Sequence, residues 1–142
     1  MQKDKNKKTR LVVDANAWIS SLLTPGFHAR LKIVFDVRYH LMVSEELFRD
    51  LASAIRKPYL AKHIKQVEYE YLVSQLRVDA ELVEVRSVVN ACRDPKDNFL
   101  LALAKDGDAD YLITGDDDLR SMKQFEKTII VSLNEFETIA NQ

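Results

Sequence analysis

Eight aspartates fall between Asp94 and Asp118 (Asp94, Asp97, Asp106, Asp108, Asp110, Asp116, Asp117 and Asp118), against two cations, Lys96 and Lys105. Two short apolar runs also end in acid: Leu11-Val12-Val13 stops at Asp14, and Tyr111-Leu112-Ile113 runs into Thr114-Gly115-Asp116. Functional groups in an open parallel sheet gather at the carboxyl ends of its strands, so these runs would bring Asp14 and Asp116 to one edge. Asp94-Pro95-Lys96-Asp97 adds acid where a helix begins. A further carboxylate comes from the helix that Ser44 can cap. At about 100° per residue, Leu47, Phe48, Leu51, Ala54 and Ile55 form one apolar arc with Asp50 at its rim. Arg49 and Glu45 point to the opposite side, and Glu46 lies one turn before Asp50 but further out, as its reserve.

If Asp14, Asp50, Asp97 and Asp116 converge, they form six like-charged pairs. Each pair at about 4 Å costs on the order of 4 kcal/mol at an effective dielectric near 20, and about 1 kcal/mol in water. Domains are stable by only about 5–15 kcal/mol, so such a cluster needs a cation or carboxyls held protonated. Donors that are all oxygen suit a hard octahedral ion, Mg²⁺ or Mn²⁺. Zinc is disfavoured, because His28, His40 and His63 are scattered without paired spacing and read as surface or packing residues. The same acids have structural uses to weigh against this. Asp94 before Pro95, with Asp97 in the first turn, is also an N-cap pattern; Asp116 can cap a short helix near Asp118-Leu119, and Asp106 to Asp110 can form a turn. Asp14, directly after a buried-looking strand, is the least explained by such uses.

The elements that must carry these groups alternate. Leu11–Val13 reads as a strand, Ala15–Leu23 as a helix closed by Thr24-Pro25-Gly26, Phe27–Val37 as a second helix and His40–Val43 as a strand. The helix after Ser44 is limited by Pro58, and Lys62–Arg77 is helical by its Ile64, Val67, Tyr71, Leu72 and Leu76 spacing. Leu82–Val85 reads as a strand, Asp94 to Lys105 as a helix, Tyr111–Ile113 and Thr128–Val131 as strands, and Leu133–Ala140 as a last helix. Strands alternating with helices imply an α/β layered fold with a central, mainly parallel sheet.

Composition sets the bounds. The 142 residues are 46% hydrophobic and 30% charged, which fits one globular domain over residues 10–142. Gly26, Gly107 and Gly115 are the only glycines, so neither Gly-rich phosphate loop can be written. A single cysteine, Cys92, excludes an intramolecular disulfide and a thiolate zinc site. The chain has no apolar run of membrane-spanning length and no signal-type apolar segment before Arg10, so a reduced, cytoplasmic setting is expected. Net charge is -1, unevenly spread: Lys3, Lys5, Lys7, Lys8 and Arg10 against Asp4 make the first ten residues +4. Residues 1–9 read as a basic, solvated and disordered tail.

The order of these motifs resembles the PIN-domain nucleases. Val12-Val13-Asp14-Ala15-Asn16 with Ile19-Ser20 is similar to that family's opening, where the first strand ends in Asp-x-Asn. Ser44 and Asp50-Leu51 look like its second motif, a helix that usually carries Glu. Asp94-Pro95-Lys96-Asp97 with Phe99 to Ala104 resembles the third, and Thr114-Gly115-Asp116-Asp117-Asp118-Leu119 the fourth, a Thr-x-Asp-x-Asp pattern. The likeness spans nearly the whole chain beyond the tail. Ser21 to Gly26 and Arg56-Lys57-Pro58 look like the branch that holds toxin components of toxin–antitoxin pairs.

The resemblance implies a three-layer fold and a ribonuclease dependent on Mg²⁺ or Mn²⁺. Asp14, Asp50, Asp97 and Asp116 would be its acidic quartet, with Asp14, Asp97 and Asp116 holding metal. Asp50 would join them or, like Asp118, align the attacking water. Asn16 and Thr114 would orient the site, and Asp94, Asp118 and Glu46 would be accessory acids. RNA would be the substrate, with Arg49, Arg56, Lys57, Lys96, Arg120 and Lys123 as candidates to offset its repulsion. A small antitoxin protein and a second copy of the chain would be partners. There are two departures from the pattern: Asp50 is one methylene shorter than Glu, and Trp18 stands where a smaller aliphatic is usual. A non-catalytic RNA- or protein-binding module of the same fold is the alternative reading. An aspartyl-phosphate phosphotransfer domain is a weaker one, because Asn16 replaces the second acid such domains need near the first strand.

Overall fold

The computed structural model of the chain describes residues 7–142. The expected basic tail falls largely on residues 1–6, outside the described residues, and the first strand, β1 (Thr9–Val13), begins one residue inside it. Leu11, Val12 and Val13 are fully buried, as an uninterrupted apolar run covered on both faces requires. α1 (Ala15–Leu23) follows at once, and α2 (Pro25–Leu31) opens with Pro25 in its first turn. The chain then tightens into a 3₁₀ turn over Lys32–Phe35, so the single helix expected over Phe27–Val37 is two pieces. β2 (Tyr39–Val43) leads to α3 (Glu45–Ile55), capped by Ser44, whose hydroxyl accepts from the Leu47 N–H at 3.1 Å.

α4 (Pro58–Ala61) is a separate turn, and α5 (Gln66–Asp79) starts four residues later than the apolar spacing predicted, because the backbone is extended at Lys65. The expected strand Leu82–Val85 shrinks to β3 (Glu81–Leu82). Beyond it one more bond holds, Val83 N–H to Val43 O at 2.8 Å, before the Asp106 carboxylate takes the N–H groups of Arg86 and Ser87 at 2.6 and 2.8 Å. A 3₁₀ turn (Pro95–Asp97) opens α6 (Asn98–Asp106). β4 (Tyr111–Ile113), α7 (Asp117–Arg120), β5 (Gln124–Phe125), β6 (Thr128–Val131) and α8 (Leu133–Ala140) complete the fold.

The six strands of the described residues lie in the order β3-β2-β1-β4-β6-β5, all parallel except β5, which runs antiparallel to β6. Helices flank this mostly parallel sheet, and α1 packs on α2 and α3 while α6 packs on β1. The α/β class expected from the alternating pattern is therefore what the chain adopts. From β1 the chain proceeds outward through β2, and it later returns to β1's other side as β4. That reversal leaves a crevice outside the carboxyl ends of β1 and β4, the place where such sheets bind ligands. Val13 pairs with Ile113 in register, so Asp14 and Thr114 are the next residues on adjacent strands.

Candidate active site

Asp14 leaves β1 and caps α1 in the same step. Its carboxylate accepts the Asn16 N–H at 3.0 Å and the Thr114 hydroxyl at 2.7 Å, and it is 3% exposed. No cation pairs with it among the described residues. Burial pushes its carboxyl above the usual range, against the pull of the Thr114 and Asn16 hydrogen bonds, and nearby Asp116 and Asp50 push it the same way. Thr114 serves both strand tips. While its hydroxyl donates to Asp14, the same oxygen accepts the Asp116 N–H at 3.0 Å. Asp116 in turn caps α7, with Oδ1 accepting from Asp118 N–H at 2.8 Å and Leu119 N–H at 3.1 Å.

Asp97 completes the crowding. It sits where the 3₁₀ turn gives way to α6, half-buried, and its carboxyl is pushed up to about 7. Burial is the main cause; next come the charge of Asp116 and a hydrogen bond shared with it, then Asp14 and Asp94. Burial and the like charges around it thus favour the protonated form of Asp97. Asp94, the cap of that turn, accepts the Lys96 N–H at 3.1 Å. One oxygen each from Asp94, Asp97 and Asp118 lie within 4.8 Å of one another, a spacing a single cation could bridge.

These groups face a cleft of about 200 Å³ lined by Asp14, Asn16, Asp50, Asp94, Asp97 and Asp116, together with Lys57 and Lys96. Asp50 reaches it from the exposed rim of α3, whose Leu47, Phe48 and Leu51 are buried. All four expected quartet acids thus line one cleft. Glu46 does not; it lines a separate groove with Arg49 and the β3 segment. The tightest acidic trio also differs from the expected metal trio, since Asp94 and Asp118 join Asp97 where Asp14 and Asp116 were anticipated. Asp118 lies outside the cleft lining, paired with Arg93. Trp18 packs in the core against Phe35 at 5.7 Å, and does not line the cleft.

Two neighbours went unread in the sequence. Cys92 is buried with its thiol 4.0 Å from Asp97 Oδ2, and its N–H is held by the Asn98 side chain at 2.9 Å. Arg93 Nε donates to Asp118 Oδ1 at 2.6 Å across twenty-five residues of chain, a pairing no local signal predicts. Of the basic candidates, Lys57 and Lys96 line the cleft and pair with no carboxylate among the described residues, whereas Arg120 pairs with Glu135 at 3.6 Å. The donor set fits a hard divalent cation: Asp14, Asp50, Asp94, Asp97 and Asp116 bring carboxylate oxygens to one cleft, and burial together with their like charge is expressed in Asp97.

A mostly parallel α/β sheet with an acidic cleft at its reversal point offers carboxylate oxygens where such sheets bind ligands. The family model of the PIN domain matches residues 10–118, so the chain belongs to the PIN domain family, a family of nucleases. That span runs from β1 to α7 and contains every acid of the cleft. An uncharacterized protein of Methanocaldococcus jannaschii is similar to the chain, 24% identical over 135 residues that cover 93% of this chain and 86% of that one. No solved structure matches the chain significantly. No helix of the described residues is long and apolar enough to cross a membrane.

Proposed function

We propose that the chain is an endoribonuclease dependent on Mg²⁺ or Mn²⁺, and that it is the toxin of a toxin–antitoxin pair acting in the cytoplasm. One observation carries the reading: acids from four separate elements converge in one cleft, where burial first and then the charges of Asp116, Asp14 and Asp94 lift Asp97 to about 7. A divalent ion there would supply a Lewis acid for the phosphate and a water acidified for attack at neutral pH. Asp14, Asp97 and Asp116 would hold that ion, with Asp116 also capping α7 through its Oδ1. Asp50, on a rim and shorter than Glu, aligns the attacking water. Asn16 and Thr114 fix Asp14, and Lys57 and Lys96 at the cleft edge offset the repulsion between RNA and the acidic pocket. The toxin assignment rests on the likeness of Ser21 to Gly26 and Arg56-Lys57-Pro58 to that branch of the family, and it carries a small antitoxin protein and a second copy as partners.

The test is cleavage of single-stranded RNA with added Mg²⁺ or Mn²⁺, comparing the native chain with Asp14→Asn. The native chain should cleave and lose that activity to chelator, and Asp14→Asn should be inactive with an unchanged circular dichroism spectrum. Equal turnover in the variant would refute the site. Binding of RNA that survives chelation, with no cleavage at any metal concentration, would favour the non-catalytic module. Growth arrest on expression, absent with Asp14→Asn, tests the toxin assignment.

A further inference from the structure

Arg93 is the one cation bonded to an acid of the Asp94–Asp97–Asp118 trio among the described residues. Both its Nε and a terminal guanidinium nitrogen meet the same oxygen of Asp118, Oδ1. The backbone on either side of Arg93 is pinned. Cys92 is buried and tied to Asn98, and Asp94 caps the turn that follows. The Arg93 side chain is 75% exposed, while Asp118 is 29% exposed. A fixed backbone with a solvated, long side chain can release its partner without disturbing the fold, and exposed ion pairs of this kind are weak. The guanidinium therefore stands on a carboxylate within bridging distance of Asp97, the acid that this trio shares with the proposed metal set of Asp14, Asp97 and Asp116. An arginine on the trio and a divalent ion held through Asp97 repel each other, so occupancy by one opposes the other.

We propose that Arg93 is a tethered counter-ion of the acidic centre: it holds Asp118 until a divalent cation binds through Asp97, and the released guanidinium then binds a phosphate of the RNA strand. This rests on the nuclease reading of the cleft and makes Arg93 a positioning residue that links metal loading to substrate binding. Arginine suits the second task, because its planar fork matches a phosphate with two parallel N–H donors.

Mn²⁺ alone, titrated calorimetrically into the full chain, tests the first half. Arg93→Ala should bind Mn²⁺ roughly three- to tenfold more tightly than the native chain, the size expected of one relieved, partly solvated like-charge contact. Arg93→Lys should fall near the native value. In an Asp118→Asn background the Arg93→Ala gain should vanish. Fluorescence anisotropy with single-stranded RNA tests the second half, in the Asp50→Asn background so that the strand is not cut while Asp14, Asp97 and Asp116 are kept. With saturating Mn²⁺, Arg93→Ala should weaken RNA binding several-fold; without metal it should change little. Arg93→Ala binding Mn²⁺ equally or more weakly, or RNA binding indifferent to Arg93, overturns the proposal and leaves the nuclease reading standing. No Mn²⁺ binding by any of the proteins overturns both. Thermal melting of each variant confirms that an exposed arginine has been removed from a folded chain.

Discussion

The two edges of the sheet carry the same residue types in opposite circumstances. At the amino-terminal edge acids are answered by cations of the chain: Lys127 reaches Asp108 at 3.2 Å and Asp110 at 3.3 Å, Arg38 reaches Asp36 at 3.0 Å, and Glu81 takes both His40 at 2.6 Å and Arg10 at 3.2 Å. At the carboxyl edge Asp14, Asp97 and Asp116 lean on one another and on backbone N–H and hydroxyl donors. The protonation behaviour follows. The hydrogen bond from His40 and the charge of Arg10 hold Glu81 below the usual carboxylate range, and the Arg38 N–H does the same for Asp36, whereas burial and like charge lift Asp14 and Asp97. An acid paired within the chain serves the fold. The acids left to crowd their neighbours are the ones that line the cleft.

The sharpest way to press that contrast is metal and pH together. Mn²⁺ at a hundred times its Kd should raise the unfolding free energy by about 2.7 kcal/mol, by linkage to the folded state alone. Without metal, Asp97 ionises near 7 in the folded chain against 3.8 as its ordinary value, so its contribution is full below pH 3.8 and is lost as pH rises toward 7. Glu81 and Asp36 have the opposite sign: their folded values are lowered, so their contribution is present above the ordinary value and is lost as pH falls through the lowered one. Melting curves of the native chain and Asp97→Asn should therefore diverge between about pH 4 and 7. The native chain should lose the more stability as pH rises, and Mn²⁺ should close the gap. Parallel pH profiles would show that the carboxyl edge is no more strained than the other.

A smaller effect is expected at the bridge between the strand tips. Thr114→Val removes a buried hydroxyl that donates to Asp14 and accepts from Asp116 N–H, and should cost about 1–3 kcal/mol in denaturant unfolding. Metal affinity should fall with it. The smallest belongs to the amino edge, where Lys127→Ala should change stability by no more than about 1 kcal/mol and leave cleavage rate and Mn²⁺ affinity untouched. A large effect there would erase the distinction between the two edges.

What could be read from the residues was local. Tyr111–Ile113 and Thr128–Val131 are short apolar runs bounded by turn residues, and the structure gives them those bounds. Ala15–Leu23 likewise runs from an acidic cap to the Thr24-Pro25 break. Asp50 was separable from Glu46 because helical rotation fixes which lies at the edge of the apolar arc, and only Asp50 lines the cleft. Two-residue β5 escaped notice because its partner β6 and a left-handed turn at Glu126 define it, with no periodicity of its own. The late start of α5 depends on the extended backbone at Lys65, which the apolar spacing continued straight through. Arg93 on Asp118, and Asp94 and Asp118 grouped about Asp97, arise where the turn before α6 meets α7. Only the assembled sheet brings those segments together.

Asp14 and Asp116 each start a helix with the carboxylate that also faces the cleft. Alanine at either position would therefore strip a chemical group and a folding signal at one stroke, and an inert protein would not reveal which had been lost. Asparagine removes the charge but is itself a favoured first residue for a helix. The chain has merged two duties in one side chain at each position, so a substitution tests both unless the new residue can still cap the helix.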